Sequence, residues 1–253
     1  MANKSANKKT LSVYLYIPNI IGYIRVLMNI VAFARCFSDK KLFSVLYFIS
    51  FICDGIDGWF ARKFNQVSTF GAVLDMVTDR VSTACLLAVL SQIYRPGLVF
   101  LSLLALDVGS HWLQMYSTFL SGKVSHKDVK DSTNWLFKAY YGNRLFMAYC
   151  CVASEVIYLI SFMLASPSPC FFLKTVYSCM LQVLYIILFL IAEHQSESVN
   201  DVVMNTLKHS SLFCFGFSLV LFGWAIKQAV NVIQMKTAAD VCVLYDLNRS
   251  HRP

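Results

Sequence analysis

Apolar residues fall along this chain in seven blocks of near-spanning length, at about 19–37, 42–60, 71–93, 97–119, 144–165, 169–192 and 211–233. Short polar or basic stretches separate them. A bilayer core takes about 20 helical residues to cross, so each block is long enough to span or nearly so. Inside hydrocarbon every backbone polar group must bond within its own segment or close a barrel. The runs are unbroken and lack the alternation of barrel strands, so they are predicted as helices. Tyr94-Arg95-Pro96-Gly97 reads as a tight turn. The longest polar insert, SGKVSHKDVKDSTNWLFKAYYGN over 121–143, is long enough for a cytosolic loop or an interfacial helix. No Gly/Ser linker or composition break divides the chain. The expected architecture is therefore one all-α, polytopic membrane bundle over residues 1–253.

Composition strengthens this reading. The chain is 57% hydrophobic and only 14% charged, too apolar for an ordinary soluble domain. Its first ten residues, MANKSANKKT, are polar and basic, and the stretch after them is amphipathic and broken by Pro18, so no removable signal peptide is expected. The net charge of +8 is carried largely by Lys and Arg at span ends and in loops. That placement fits anionic headgroups and positive-inside orientation, and excludes nucleic acid as the expected partner. Lys4, Lys8, Lys9, Arg62, Lys63, Lys123, Lys127, Lys130, Lys138 and Arg144 share the cytosolic face if the N-terminus lies there. Arg35, Lys40, Lys41 and Arg95 fall on the other. Most of the nine cysteines sit inside apolar blocks without metal-ligand spacing and read as packing residues.

Against this background, four aspartates stand out. They occur as Asp54-x-x-Asp57-Gly58-x-x-Ala61-Arg62, then eight residues, then Gly71-x-x-x-Asp75-x-x-x-Asp79. A carboxylate at membrane depth is costly unless paired, hydrated or metal-bound, and so marks a functional site. Asp54 and Asp57 lie at i, i+3 and Asp75 and Asp79 at i, i+4, so each pair shares a helix face. Two such helices facing each other gather four carboxylates, a hard oxygen set that two divalent cations such as Mg²⁺ or Mn²⁺ would balance. Gly58, Ala61 and Gly71 permit close approach, and Arg62 offers a planar donor for a phosphate oxygen. The bland alternative is that these acids pair with Arg62, Lys63 and Arg80 at a helix end.

The pattern resembles the signature of the CDP-alcohol phosphatidyltransferases, and every fixed position is filled. Tyr14–Arg25, Asn65–Arg80 and Ser110–Lys127 look like the eukaryotic phosphatidylinositol synthase branch of that family, most closely its plant members. The resemblance covers most of residues 10–160 and returns at about 195–245. It implies displacement of CMP from CDP-diacylglycerol by an alcohol, here myo-inositol, in the endoplasmic reticulum membrane with the site facing the cytosol. A homodimer and contact with membrane lipids are further expectations. By the same resemblance, Asp54, Asp57, Asp75 and Asp79 would hold Mg²⁺ or Mn²⁺, Asp79 would also be the catalytic base, and Gly58, Arg62 and Ser68 would hold CDP-diacylglycerol. Asn19 and Arg25 are candidates for the nucleotide phosphates, although Arg25 can equally snorkel to the headgroups.

The resembled enzymes have six membrane helices. Here EVIYLISFMLA at 155–165 is nearly repeated as QVLYIILFLIA at 182–192, so about 27 residues read as inserted and the bundle is expected to have about six spans plus an extra apolar segment near 166–192. The last span is expected at Phe213–Met235, with a charged tail from Lys236. A neutral polyol needs a hydrogen-bonding pocket, for which Asp107, His111, Gln114, Lys138, Tyr141 and Arg144 are available. Two alternatives stay open: another transferase of the family, such as a phosphatidylglycerophosphate synthase, and a cation channel or transporter using the acids as a permeation site.

Overall fold

A computed structural model describes residues 13–121, 134–165 and 212–250, and among these the secondary structure is helical without strands. The helices are α1 (Ile17–Arg35), α2 (Lys40–Lys63), α3 (Thr69–Ile93), α4 (Leu98–Leu120), α5 (Trp135–Gly142), α6 (Arg144–Met163) and α7 (Leu212–Ser250). Of these, α1, α2, α4, α6 and α7 are long and apolar enough to cross a membrane. The sixth long helix, α3, spans 25 residues and carries Asp75 and Asp79. The chain is an integral membrane protein of the polytopic helical class.

Six of the seven apolar blocks thus appear as long helices. The block at 169–192, with the whole 166–192 segment, lies outside the described residues, as do Lys4, Lys8, Lys9, Lys123, Lys127 and Lys130. One expectation is narrowed and one needs correction. The insert at 121–143 contains a helix, α5, whose start is capped by Asn134 accepting from the backbone N–H groups of Leu136 and Phe137. The final helix does not stop near Met235 but runs to Ser250, because no Gly or Pro interrupts the sequence between Gly223 and Ser250.

The chain divides into two compact units, residues 1–89 and 90–253. In the first, the short connections between α1, α2 and the start of α3 make successive helices antiparallel. Their polarity is inverted relative to a soluble protein: Ile24, Leu27, Ile30, Phe48 and Ile52 are exposed while Asn19, Arg25, Asn29, Ser50 and Asp57 are buried. Such inversion suits helices whose outer face meets lipid and whose inner face carries polar groups. At one end Phe33, Phe43 and Tyr47 pack ring against ring, with centroids 5.3–6.0 Å apart.

The other end is tied by residues 61–71. Asn65 takes a left-handed backbone (φ 53°), and the N–H of Gln66 bonds to Ala61 O at 2.9 Å, closing α2 in a Schellman arrangement. Gln66 Oε1 then accepts from the N–H of Ile17 at 2.9 Å, capping the start of α1. Ser68 Oγ accepts from the N–H of Gly71 at 3.0 Å, capping α3. One short loop therefore fixes three helix ends, and with them the register of the helices that carry the acids.

In the second unit, α7 packs against α4 and α6, and α5 packs against α6 and α7. Its core joins Phe137 and Tyr140 of α5 to Cys150 of α6 and Val230 of α7. Polar bonds cross the same interfaces. Gln234 Nε2 donates to Ser110 O at 3.2 Å, Tyr141 Oη donates to Gln234 Oε1 at 3.2 Å, and Tyr149 Oη donates to Leu219 O at 2.6 Å. Among the described cysteines none forms a disulfide.

Candidate metal centre

The site is built in the first unit. Asp54 and Asp57 come from the second half of α2, and Asp75 and Asp79 from the first half of α3. At about 1.5 Å of rise per residue, Asp57 sits about 9 Å from the end of α2 and Asp79 about 15 Å from the start of α3. Both pairs therefore lie toward the loop end of the unit. Oxygens of Asp54, Asp57 and Asp75 all lie within 4.8 Å of one another, the one such group among the described residues.

The centre of the cluster is held by Arg25 of α1. Its Nη1 donates to Asp57 Oδ2 at 3.0 Å and to Asp75 Oδ1 at 2.8 Å. Its Nη2 donates to Asp79 Oδ1 at 2.5 Å and ion-pairs with Asp54 Oδ1 at 2.8 Å. The Arg25 side chain is 3% exposed, whereas that of Asp75 is 43% exposed. The quartet thus turns an inner edge to the guanidinium and leaves an outer edge open. Arg25 does not snorkel to headgroups, because its fork is consumed by carboxylates contributed from 29 to 54 positions away. The cation that the four acids share is Arg25 of α1, a partner that the pairing with Arg62, Lys63 and Arg80 did not include.

These residues fit divalent metal. The donors are all carboxylate oxygens, the hard ligand class that Mg²⁺ and Mn²⁺ prefer. Opposed oxygens around Mg²⁺ stand about 4.2 Å apart, twice the usual bond of about 2.1 Å. The triad's oxygens, all within 4.8 Å of one another, are near the size of such a shell. The four acids and Arg25 together carry a formal charge of −3, which leaves the site electrostatically short of cations.

The signature's other residues surround this centre. A Cβ built on Gly58 would lie 3.4 Å from Arg62 Nη1, so the exposed Arg62 folds back along the stripe that Gly58 leaves clear. At Gly71 a Cβ would come within 2.5 Å of Asn19 Oδ1 and 3.0 Å of Ser68 Oγ. Glycine is required there by the close approach of α1 to α3. Asn19 is 1% exposed, its Nδ2 donates to Val13 O at 2.6 Å, and its Oδ1 meets no donor.

The six residues named for a polyol all lie in the second unit and separate by exposure. Asp107 and Gln114 are buried on α4, His111 and Tyr141 are half-buried, and Lys138 and Arg144 are exposed. His111 Nδ1 lies 2.8 Å from Asp107 O, a bond within one helix turn. Sequence reasoning missed a matching set on α7. Lys227 is 5% exposed and donates to Asn231 Oδ1 at 2.8 Å, and Gln234 is fully buried. Their i, i+4, i+7 spacing inside an apolar span was the available signal.

The profile described as CDP-alcohol phosphatidyltransferase matches residues 15–239. The chain is 64% identical over 254 residues to CDP-diacylglycerol–inositol 3-phosphatidyltransferase 1 of Arabidopsis thaliana, with both chains covered completely. It is 32% identical to the Schizosaccharomyces pombe CDP-diacylglycerol–inositol 3-phosphatidyltransferase, over 96% of this chain and 94% of that one. With its human counterpart the identity is 37%, over 60% of this chain and 72% of the other. No solved structure matches significantly. The profile runs through all three helices that bring Arg25 and the four aspartates together, and the chain belongs to the CDP-alcohol phosphatidyltransferase family.

Proposed function

We propose that this chain is a phosphatidylinositol synthase, which transfers the phosphatidyl group of CDP-diacylglycerol to myo-inositol and releases CMP. The observation that carries the reaction class is the convergence of Asp54, Asp57, Asp75 and Asp79 on one centre with an open outer edge. The choice of inositol is supported by the full-length similarity to the Arabidopsis thaliana relative named for that acceptor. One catalytic domain over the whole chain is supported by the profile match across 15–239.

In this reading Asp54, Asp57 and Asp75, with Asp79, hold Mg²⁺ or Mn²⁺. The bound cations supply charge neutralisation at the diphosphate and at the leaving phosphate. Asp79, the deepest of the four along its helix, takes the proton from the attacking inositol hydroxyl. The phosphate oxygens of CDP-diacylglycerol meet the Arg62 guanidinium and the Ser68 hydroxyl, and Gly58 keeps side-chain atoms out of the way. Ser68 Oγ already accepts from Gly71, so its own proton remains to donate to the substrate. Asn19 Oδ1 accepts but cannot donate, so Asn19 as oriented would serve a hydroxyl or amino group of the nucleotide rather than a phosphate oxygen.

The helix ends that the 61–71 loop gathers belong to the cytosolic face, and the membrane is that of the endoplasmic reticulum. Assembly as a homodimer follows the family expectation. Purified protein in lipid nanodiscs, given CDP-diacylglycerol and either labelled inositol or labelled glycerol 3-phosphate, tests the acceptor. Label from inositol should enter the lipid fraction. Incorporation of glycerol 3-phosphate in its place would assign a different transferase of the family.

A further inference from the structure

Arg25 does more than a phosphate contact or a lipid anchor would require. Its two terminal nitrogens meet four carboxylates from two helices at 2.5–3.0 Å. A planar fork can bridge several carboxylates in this way, where a lysine would supply a single point charge. The third nitrogen is different. Arg25 Nε is buried and donates to nothing, although buried donors in native structures are nearly always paired. The guanidinium is therefore held by its charge while one of its donors is kept in reserve.

We propose that Arg25 is a displaceable internal counter-ion. Its guanidinium fills the centre of the carboxylate quartet when divalent cations are away, and it yields that place to them, turning all three nitrogens toward an anionic phosphate. The proposal rests on the reading of the four aspartates as a metal site. The charge count supports it. Four carboxylates and Arg25 sum to −3, two divalent cations bring +4, and a diphosphate carrying two negative charges leaves −1 with Arg25 retained nearby. A guanidinium still seated among the metal-bound oxygens would instead face the cations at contact distance and repel them. Access supports it as well. The Asp54, Asp75 and Asp79 side chains are 29%, 43% and 32% exposed, so cations reach the outer edge without first passing the buried guanidinium. A seated Arg25 and bound metal then exclude one another, and the coupling is reciprocal, with typical magnitudes of about 5–150-fold.

The test uses the full chain in nanodiscs and Mn²⁺ alone, with free Mn²⁺ read by electron paramagnetic resonance. Arg25→Gln should bind Mn²⁺ roughly tenfold more tightly than the native chain, while unfolding at a lower temperature in EDTA. Equal or weaker binding by Arg25→Gln overturns the proposal. Should that variant fail to fold, the native protein decides. Phenylglyoxal modification of Arg25, followed by mass spectrometry, should accelerate when Mn²⁺ is added, and an unchanged or slower rate overturns the proposal. Asp75→Asn separates the two readings. If it leaves native Mn²⁺ binding intact, the metal-site reading itself falls and the displacement falls with it. If it abolishes binding while Arg25→Gln gains nothing, only the displacement falls.

Discussion

Replacing Gly71 with alanine tests whether the approach of α1 to α3 is as close as the structure describes. The new Cβ would stand 2.5 Å from Asn19 Oδ1 and 3.0 Å from Ser68 Oγ, where ordinary contact begins at 3.4 Å. The neighbours must therefore yield by 0.9 Å and 0.4 Å. Asn19 cannot swing away cheaply, because it is 1% exposed and its Nδ2 is bonded to Val13 O. Overpacking of this kind costs about 1–3 kcal/mol. Moving Ser68 also loosens the cap on α3, worth about 1 kcal/mol more. The expected loss is thus about 2–4 kcal/mol, read from reversible unfolding in detergent mixtures. Asn19→Ala removes the obstructing oxygen, so the double variant Gly71→Ala/Asn19→Ala should recover at least about 1 kcal/mol relative to additivity. Costs that simply add within about 0.5 kcal/mol would mean that the two residues do not touch, and the packing argument would fail.

Asp57→Asn and Asp75→Asn each remove one charge with little change of shape. Turnover should fall by at least about 100-fold with membrane insertion intact, and near-normal CMP release from either would contradict a shared metal site. Asp79→Asn should be equally inactive yet still bind CDP-diacylglycerol; if binding is lost with turnover, metal holding alone accounts for Asp79 and its role as base falls. For topology, Val67→Cys is a better probe than a cysteine at Ser68, because Val67 is 70% exposed while Ser68 caps α3. Membrane-impermeant maleimide should label it from the cytosolic side of sealed vesicles, and lumenal labelling would reverse the orientation.

The helices and their acids were legible for a local reason. Spanning length and the i, i+3 and i, i+4 spacings of the aspartates are properties of short windows. Arg25 shows where that legibility ends. Its sequence neighbourhood is an apolar span, and nothing within one turn names a partner, so headgroup and phosphate readings stand level. Only the folding of α1 against α2 and α3 brings carboxylates 29 to 54 positions distant onto its fork. Gln66 is hidden in the same way, since a glutamine in a polar loop gives no sign that it caps a helix starting 49 positions earlier. The extension of α7 to Ser250 escapes a reading that ends the span at its charged residues, because charge alone does not break a helix. Lys227, Asn231 and Gln234 were within reach of the reasoning that singled out Asp107, His111 and Gln114, had the same face spacing been applied to the last span.

The four converging aspartates are assigned here to metal-dependent transfer from CDP-diacylglycerol to inositol. Its most direct test is CMP release by the purified full-length chain, measured with and without inositol and with and without Mg²⁺ or Mn²⁺. Release is expected only when inositol and a divalent cation are both present, abolished by EDTA and restored by adding the metal back. Rapid inositol-dependent CMP release in EDTA would contradict it.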